Sequence, residues 1–271
     1  MIKTTADEVL AGAGVGATGP APDDHVLARV LADGAGQLLL DLREQLSDPA
    51  ELKREGDRRS HEFLLAELTR LRPNDAVLSE EGKDDAARLH ASRVWIIDPV
   101  DGTREYSEKP REDWAVHVAL WQDGELVAGA VARPAMGSTL STAAPAPFPA
   151  AEGNGIRLAV SRSRPPEFVG RLAETLGAEL VPMGSAGIKA TAVLDGHVDA
   201  YVHAGGQYEW DSAAPVAVVL ASGLYASRID GSPLVYNQAD PLLPDLLVCR
   251  PELAERLLAT ISTLTHEDVT Q

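Results

Sequence analysis

The residues best suited to chemistry in this chain are Asp98 and Asp101, which stand three positions apart in Asp98-Pro99-Val100-Asp101-Gly102-Thr103. Proline fixes its own φ and keeps the residue before it extended. The chain can then bend so that both carboxylates face one point. Gly102 permits close backbone approach, and its N–H together with that of Thr103 can face an anion where a helix begins. Paired carboxylates of this kind suit a hard divalent cation, which takes oxygen ligands, water and substrate phosphate. A second acidic pair closes the segment Leu78-Ser79-Glu80-Glu81. The competing reading of the Asp98 segment is an Asp-rich turn with a capping role.

Such acids need rigid elements to hold them. Val94-Trp95-Ile96-Ile97 and Ala76-Val77-Leu78 are short apolar runs that read as buried strands delivering acids at their C-terminal ends. Upstream, Asp23 and Asp24 are N-caps for a long helix. Its apolar residues Val26, Leu27, Val30, Leu31, Leu38, Leu39, Leu42 and Leu46 recur at helical spacing. A polar stretch over 47–56 separates it from a second helical pattern that opens at Asp57, carries Phe63, Leu64, Leu68 and Leu71, and ends at Pro73. Residues 115–121 and 126–132 form a hairpin across Asp123-Gly124, and 137–143 add a strand. The Pro/Ala-rich segment 145–153 reads as a linker.

Beyond the linker, strands at 157–160, 179–183, 199–203 and 224–227 alternate with helices at 167–176, 186–194, 212–222 and 252–264. This rhythm predicts an α+β half, 23–152, carrying most of the acids, joined to an α/β half, 153–271. Residues 1–22 read as a flexible arm. Within it Gly14-Val15-Gly16-Ala17-Thr18-Gly19 fits the dinucleotide fingerprint, but no strand precedes it and two prolines follow.

Composition narrows the classes. The 271 residues are 45% hydrophobic, enough for a substantial core. With 24 basic against 41 acidic side chains the net charge is -17, which disfavours a nucleic-acid polymer as partner. A small phosphate remains accessible if a metal supplies local positive charge. The lone cysteine, Cys249, excludes an internal disulfide and a Cys-rich metal site. Neither a signal peptide nor an apolar run of about 18 residues is recognisable, so the expectation is a cytoplasmic protein with no membrane partner.

The segment Trp95-Ile96-Ile97-Asp98-Pro99-Val100-Asp101-Gly102-Thr103 resembles the first signature of the inositol monophosphatase superfamily. Trp210-Asp211-Ser212-Ala213-Ala214-Pro215 resembles its second. Leu78-Ser79-Glu80-Glu81, Gly184-Ser185-Ala186 and Asp199-Ala200-Tyr201 also fall where the family has them, so the resemblance runs from Asp23 to Leu247. Haloacid-dehalogenase phosphatases differ, because one residue separates their two aspartates. The resemblance implies an α+β fold, a layered α/β/α/β/α sandwich of the sugar-phosphatase type with its active site between the halves. It implies a Mg²⁺-dependent phosphatase with two or three ions, for which Mn²⁺ can substitute. Glu80, Asp98, Asp101, the Val100 carbonyl and, from the second half, Asp211 would be the metal ligands. Asp57 would pair with Thr103 to position or deprotonate the attacking water, with Glu80 a second candidate. A metal-activated water, no phosphoenzyme and lithium inhibition follow from the same resemblance. Arg54 stands where the family usually has a threonine, and the competing role for Asp57 is the N-cap of the second helix.

Ala159-Val160-Ser161-Arg162-Ser163 resembles the Ser-Arg-Ser stretch of the CysQ-type 3'(2'),5'-bisphosphate nucleotidases within that superfamily. The implied reaction removes the 3'-phosphate of adenosine 3',5'-bisphosphate, or of its sulfated form, clearing a by-product of sulfate assimilation. The implied substrate contacts are Asp101, Gly102, Thr103, Ser161, Arg162, Ser163, Gly184, Ser185, Lys189, Tyr208 and Asp211. Arg162 would take the second phosphate, which a guanidinium fork recognises well. The competing readings are a solvated loop arginine for Arg162, a helix cap for Gly184 and Ser185, a surface lysine for Lys189 and core packing for Tyr208. Arg164 replaces the histidine that this branch often has. His25, His61, His90, His117, His197, His203 and His266 show no paired ligand spacing, and none is assigned to the site. The alternatives are an inositol-1-phosphate or fructose-1,6-bisphosphate phosphatase and, in another class, a non-catalytic metal- and phosphate-binding regulator. The partner in every case is a small phosphorylated nucleotide or sugar. A homodimer accords with the resemblance, since dimers are common in the superfamily.

Overall fold

The computed structural model describes residues 22–150, 155–163 and 165–269. The Gly14–Gly19 pattern, most of the N-terminal arm and Arg164 lie outside the described residues. Helix α1 (Asp24–Gln45) is capped by Asp23, whose carboxylate accepts the Val26 N–H at 2.9 Å. Helix α2 spans Pro49–Leu71 and starts well before Asp57. Asp48 is its N-cap, accepting the Glu51 N–H at 2.8 Å, and Pro49 opens the first turn. The early turns hid from periodicity because their buried face carries small or polar residues. Gly56 lies against the Tyr106 ring, where a Cβ would come within 2.5 Å, and the Ser60 hydroxyl donates to the Pro99 carbonyl at 2.8 Å. Asp57 therefore sits inside α2, and the N-cap reading is excluded.

The first sheet has strand order β1 (Ala76–Ser79), β2 (Arg93–Asp101), β3 (Ala115–Gln122), β4 (Glu125–Arg133) and β5 (Ser138–Ser141). β1 and β2 run parallel and the remaining pairs antiparallel. A short helix, α3 (Thr103–Ser107), follows β2 directly, with Gly102 at φ 84° before it. Asp123 and Gly124 both adopt positive φ in the β3–β4 turn, as a two-residue hairpin requires.

The second sheet has order β7 (Glu179–Met183), β6 (Arg157–Ser161), β8 (Ala200–Tyr208), β10 (Leu242–Cys249) and β9 (Tyr225–Ser227). Strand β10 escapes sequence reading because Pro244 interrupts its apolar run, and proline marks bulges or edges. The structure shows a register shift at that point, between Leu243 and Asp245. Four more α-helices follow among the described residues: α4 (Glu167–Leu176), α5 (Ala186–Leu194), α6 (Glu209–Ala221) and α7 (Ala254–Val269).

The layers follow from strand parity. Along β2, Trp95 and Ile97 face α1 and α2, while Val94 and Ile96 face the opposite side, as period-two alternation demands. That opposite side meets α5 and α6, whose Ala190, Val193, Ala213 and Val216 share one core with Leu246 and Val248 of the second sheet. The far face of the second sheet is covered by Leu172 of α4 with Leu257 and Ile261 of α7. The order is thus α1/α2, sheet, α5/α6, sheet, α4/α7: the expected α/β/α/β/α sandwich. Among the described residues no helix is long and apolar enough to cross a membrane.

Candidate active site

Strand parity alone would put Asp98 and Asp101 on opposite faces of the first sheet, since they stand an odd number of residues apart. A bulge corrects this. Asp98 pairs with His117 and Asp101 with Ala115, so β2 fits one extra residue between those ladder positions. A one-residue bulge reverses facing, and both carboxylates reach the middle layer. Asp211, in the first turn of α6, approaches from that layer and accepts the Tyr208 N–H at 2.7 Å. Carboxylate oxygens of Asp98, Asp101 and Asp211 lie within 4.8 Å of one another. Glu80, just beyond β1, is near enough to Asp98 for their charges to repel.

Asp101 is the most heavily bonded of these acids. The Ser185 hydroxyl donates to it, as do the Ala186 N–H at 3.0 Å and the Gly187 N–H at 2.6 Å, so its carboxylate crowns the N-terminus of α5. His117 Nε2 lies 3.1 Å away, fully buried. Burial works to raise the Asp101 carboxyl, but the His117 charge, the Ser185 hydroxyl and the Lys189 charge hold it down to about 2. The other acids go the opposite way. Burial with repulsion from Glu80 and Asp101 raises Asp98 well above the usual range; burial and the Asp101 charge push Asp211 up to about 7. At Glu80, desolvation and Glu81 lift the carboxyl to about 7.

His117, Ser185 and Lys189 favour the charged form of Asp101, while burial and mutual repulsion leave Asp98 and Asp211 with raised carboxyls. Hard oxygen donors so close together fit a hard divalent cation. Asp98, Asp101 and Asp211 lie close enough together to hold one; Glu80 and the Val100 carbonyl are not part of that close group.

Asp57 reaches this region from within α2. The Thr103 hydroxyl lies 3.4 Å from Asp57 Oδ1 and 3.1 Å from the Val100 carbonyl, so its one proton is shared between two acceptors. Burial and the Glu81 charge push the Asp57 carboxyl up to about 7. Arg54 takes no part and pairs with Glu51 and Glu55 on the helix surface.

The other sequence-chosen residues divide. Ser185 caps α5 by accepting the Ile188 N–H at 3.0 Å and adopts φ 50° to do so. Gly184 donates to Asp113 at 2.7 Å, and a Cβ there would lie 2.3 Å from Glu105, so only glycine fits. Lys189 is buried and not a surface lysine; it donates to the Ser185 carbonyl at 2.5 Å and sits over the Tyr201 ring. Arg162 is no free solvated arginine, since it binds Glu105 at 2.7 Å and Glu108 at 3.1 Å across the two halves. Ser161 ends β6, and Ser163 is exposed beyond it. Tyr208 is not core: it is 42% exposed and stacks on Trp210 at 4.8 Å.

His117 is the functional neighbour that spacing rules passed over. Its signal was parity: Ala115, His117 and Ala119 share the inward face of β3.

Five alternating layers, with a buried carboxylate site between the first sheet and helix α6, define the class: a metal-site sandwich of the sugar-phosphatase type. The inositol monophosphatase family profile matches residues 26–266, and the chain belongs to that family. A relative from Mycobacterium leprae, a 3'-phosphoadenosine 5'-phosphate phosphatase, is 52% identical over 252 residues, covering 88% of this chain and 93% of its own. The Mycobacterium bovis protein of the same name is 53% identical over 242 residues, covering 84% and 89%. Among solved structures, CysQ from Bacteroides thetaiotaomicron is 28% identical with a TM-score of 0.70, covering 83% of this chain and 96% of its own.

Proposed function

We infer that this chain is a Mg²⁺-dependent phosphatase that hydrolyses the 3'-phosphate of adenosine 3',5'-bisphosphate, which is 3'-phosphoadenosine 5'-phosphate. The observation that carries the substrate is the identity above 50% with phosphatases named for that compound, spread over both halves of the fold. The carboxylate cluster supports the metal, which when bound supplies a Lewis acid to offset charge on the phosphoryl oxygens.

The chain's own residues do the rest. Asp57 accepts the Thr103 proton, which leaves the Thr103 oxygen able to accept one from the attacking water. A carboxyl near 7 is a competent base at neutral pH. Water and leaving oxygen are then aligned for in-line displacement. Arg162, at the end of β6, exchanges its Glu108 contact for the second phosphate of the nucleotide.

A phosphate-release assay across adenosine 3',5'-bisphosphate, inositol-1-phosphate and fructose-1,6-bisphosphate tests this reading. The nucleotide should give the highest kcat/KM, and chelation should remove the activity. A preference for inositol-1-phosphate would overturn the substrate assignment. Arg162→Ala should raise KM for the nucleotide roughly 10- to 100-fold, the worth of one charged hydrogen bond, and leave inositol-1-phosphate turnover little changed. Equal losses on both would remove Arg162 from nucleotide recognition.

The protonation of the site also sets a pH dependence. Glu80 and Asp211 hold protons up to about 7 in the folded chain, against about 4 when unfolded. The fold therefore binds more protons between those values, and metal-free stability declines as pH rises through that window. Mg²⁺ binds the deprotonated carboxylates, so its effect runs the other way. The Mg²⁺-induced rise in Tm should be larger near pH 8 than near pH 6. A rise independent of pH would place those protons elsewhere.

A further inference from the structure

His117 has the geometry of a bridge between the two acid-bearing halves. It projects from the inward face of β3, directly opposite Asp98 in the ladder. Nε2 lies 3.1 Å from Asp101 Oδ2, and Nδ1 lies 3.0 Å from the carbonyl of Trp210, the residue before Asp211. One ring thus touches the β2 acid and the first turn of the helix that brings the α6 acid. The Trp210 carbonyl is an acceptor only, so Nδ1 donates to it, while Nε2 stands at ion-pair distance from Asp101 without hydrogen-bond geometry.

The packing around the ring is closed. His117 has no solvent exposure, and a Cβ on Gly187 would stand 2.1 Å from Nε2 and 3.1 Å from Asp101 Oδ2. The glycine at that position leaves room for the imidazole to lie against Asp101. A short polar side chain here would not span both contacts.

We propose that His117 is a positioning residue for the metal site: it fixes Asp101 and the Trp210–Asp211 turn in register so that carboxylates from β2 and from α6 converge on one cation. The proposal rests on the metal reading given above. The ring is fully buried and acts through the acids it orients. Outer partners that orient a ligand typically contribute 10- to 100-fold to metal affinity.

The test compares wild type with His117→Gln and with the smaller His117→Asn, which serves if the glutamine variant does not melt cooperatively. The Mg²⁺ affinity is read twice: from the Mg²⁺-dependent rise in Tm and from the Mg²⁺ dependence of phosphate release. The expected result is a Kd for Mg²⁺ weakened about 10- to 100-fold, with substrate KM at saturating Mg²⁺ close to wild type. In an Asp101→Asn background, His117→Asn should weaken residual Mg²⁺ binding no further, because the two act as one unit. An unchanged Mg²⁺ affinity combined with a lower Tm in chelator would overturn the proposal and leave His117 a packing residue. A wild type whose Tm and turnover ignore Mg²⁺ would overturn the underlying metal reading instead.

Discussion

Asp98→Asn should lower Mg²⁺-dependent phosphate release by more than about 100-fold, beyond the loss typical of an outer partner, and should raise the Tm of the metal-free chain. The two effects share a cause. Asp98 is fully buried, and repulsion from Glu80, Asp101 and Asp211 adds to its desolvation. Asparagine keeps an oxygen to accept the Val100 N–H, 3.0 Å away in the native chain, yet removes the charge. The fold then loses a repulsive group and the cation loses a ligand. For a chain of this size each kcal/mol relieved raises Tm by about 2–4 °C. Asp101→Asn is a less clean experiment, because the Asp101 carboxylate also holds the α5 N-terminus through Ser185, Ala186 and Gly187. Melts in chelator and in Mg²⁺, with turnover measured alongside, decide the matter. An Asp98→Asn chain that is active and still stabilised by Mg²⁺ would remove Asp98 from the ligand set.

Asp57→Asn should reduce kcat by about 10²- to 10⁴-fold, the range for loss of a general base, with KM nearly unchanged. The carboxylate points at Thr103 from the interior of α2 and caps nothing, so helix content should not alter. Thr103→Val should give a loss of similar size, and the double variant should be no worse than the poorer single, since the pair works as one relay. A drop in helical signal with kcat preserved would show that Asp57 is structural. Losses that multiply in the double variant would mean that Thr103 and Asp57 act separately.

Much of the first sheet could be read directly, because β1 and β2 are apolar runs that lead into acids and the β3–β4 turn is Asp123-Gly124. Helix α2 was read too short. Gly56 and Ser60 occupy its buried face, and their fit depends on Tyr106 and Pro99, which lie far along the chain. Strand β10 was lost to Pro244, whose bulge is tolerated only because neighbouring residues keep their pairing with β8. Core packing, the competing reading for Tyr208, fails because its position at the end of β8 leaves it 42% exposed.

By itself the sequence determined the kinds of atom at the site and the stretches that present them. Asp101 ends a buried strand that also carries Asp98, Glu80 follows another, and Asp211 stands in the first turn of a helix of small residues; such features are local and survive in residue order. Tertiary structure alone decided how they meet. It set the bulge that turns Asp101 to the same face as Asp98, and it brought Asp57 to Thr103 across 46 positions. It joined His117 to Trp210 across 93, and drew Arg162 onto Glu105 and Glu108. The physical reason is that burial and mutual charge act between residues made neighbours only by packing: the same carboxyl sits at about 2 in Asp101 and at about 7 in Asp211 because of what surrounds each in the folded chain.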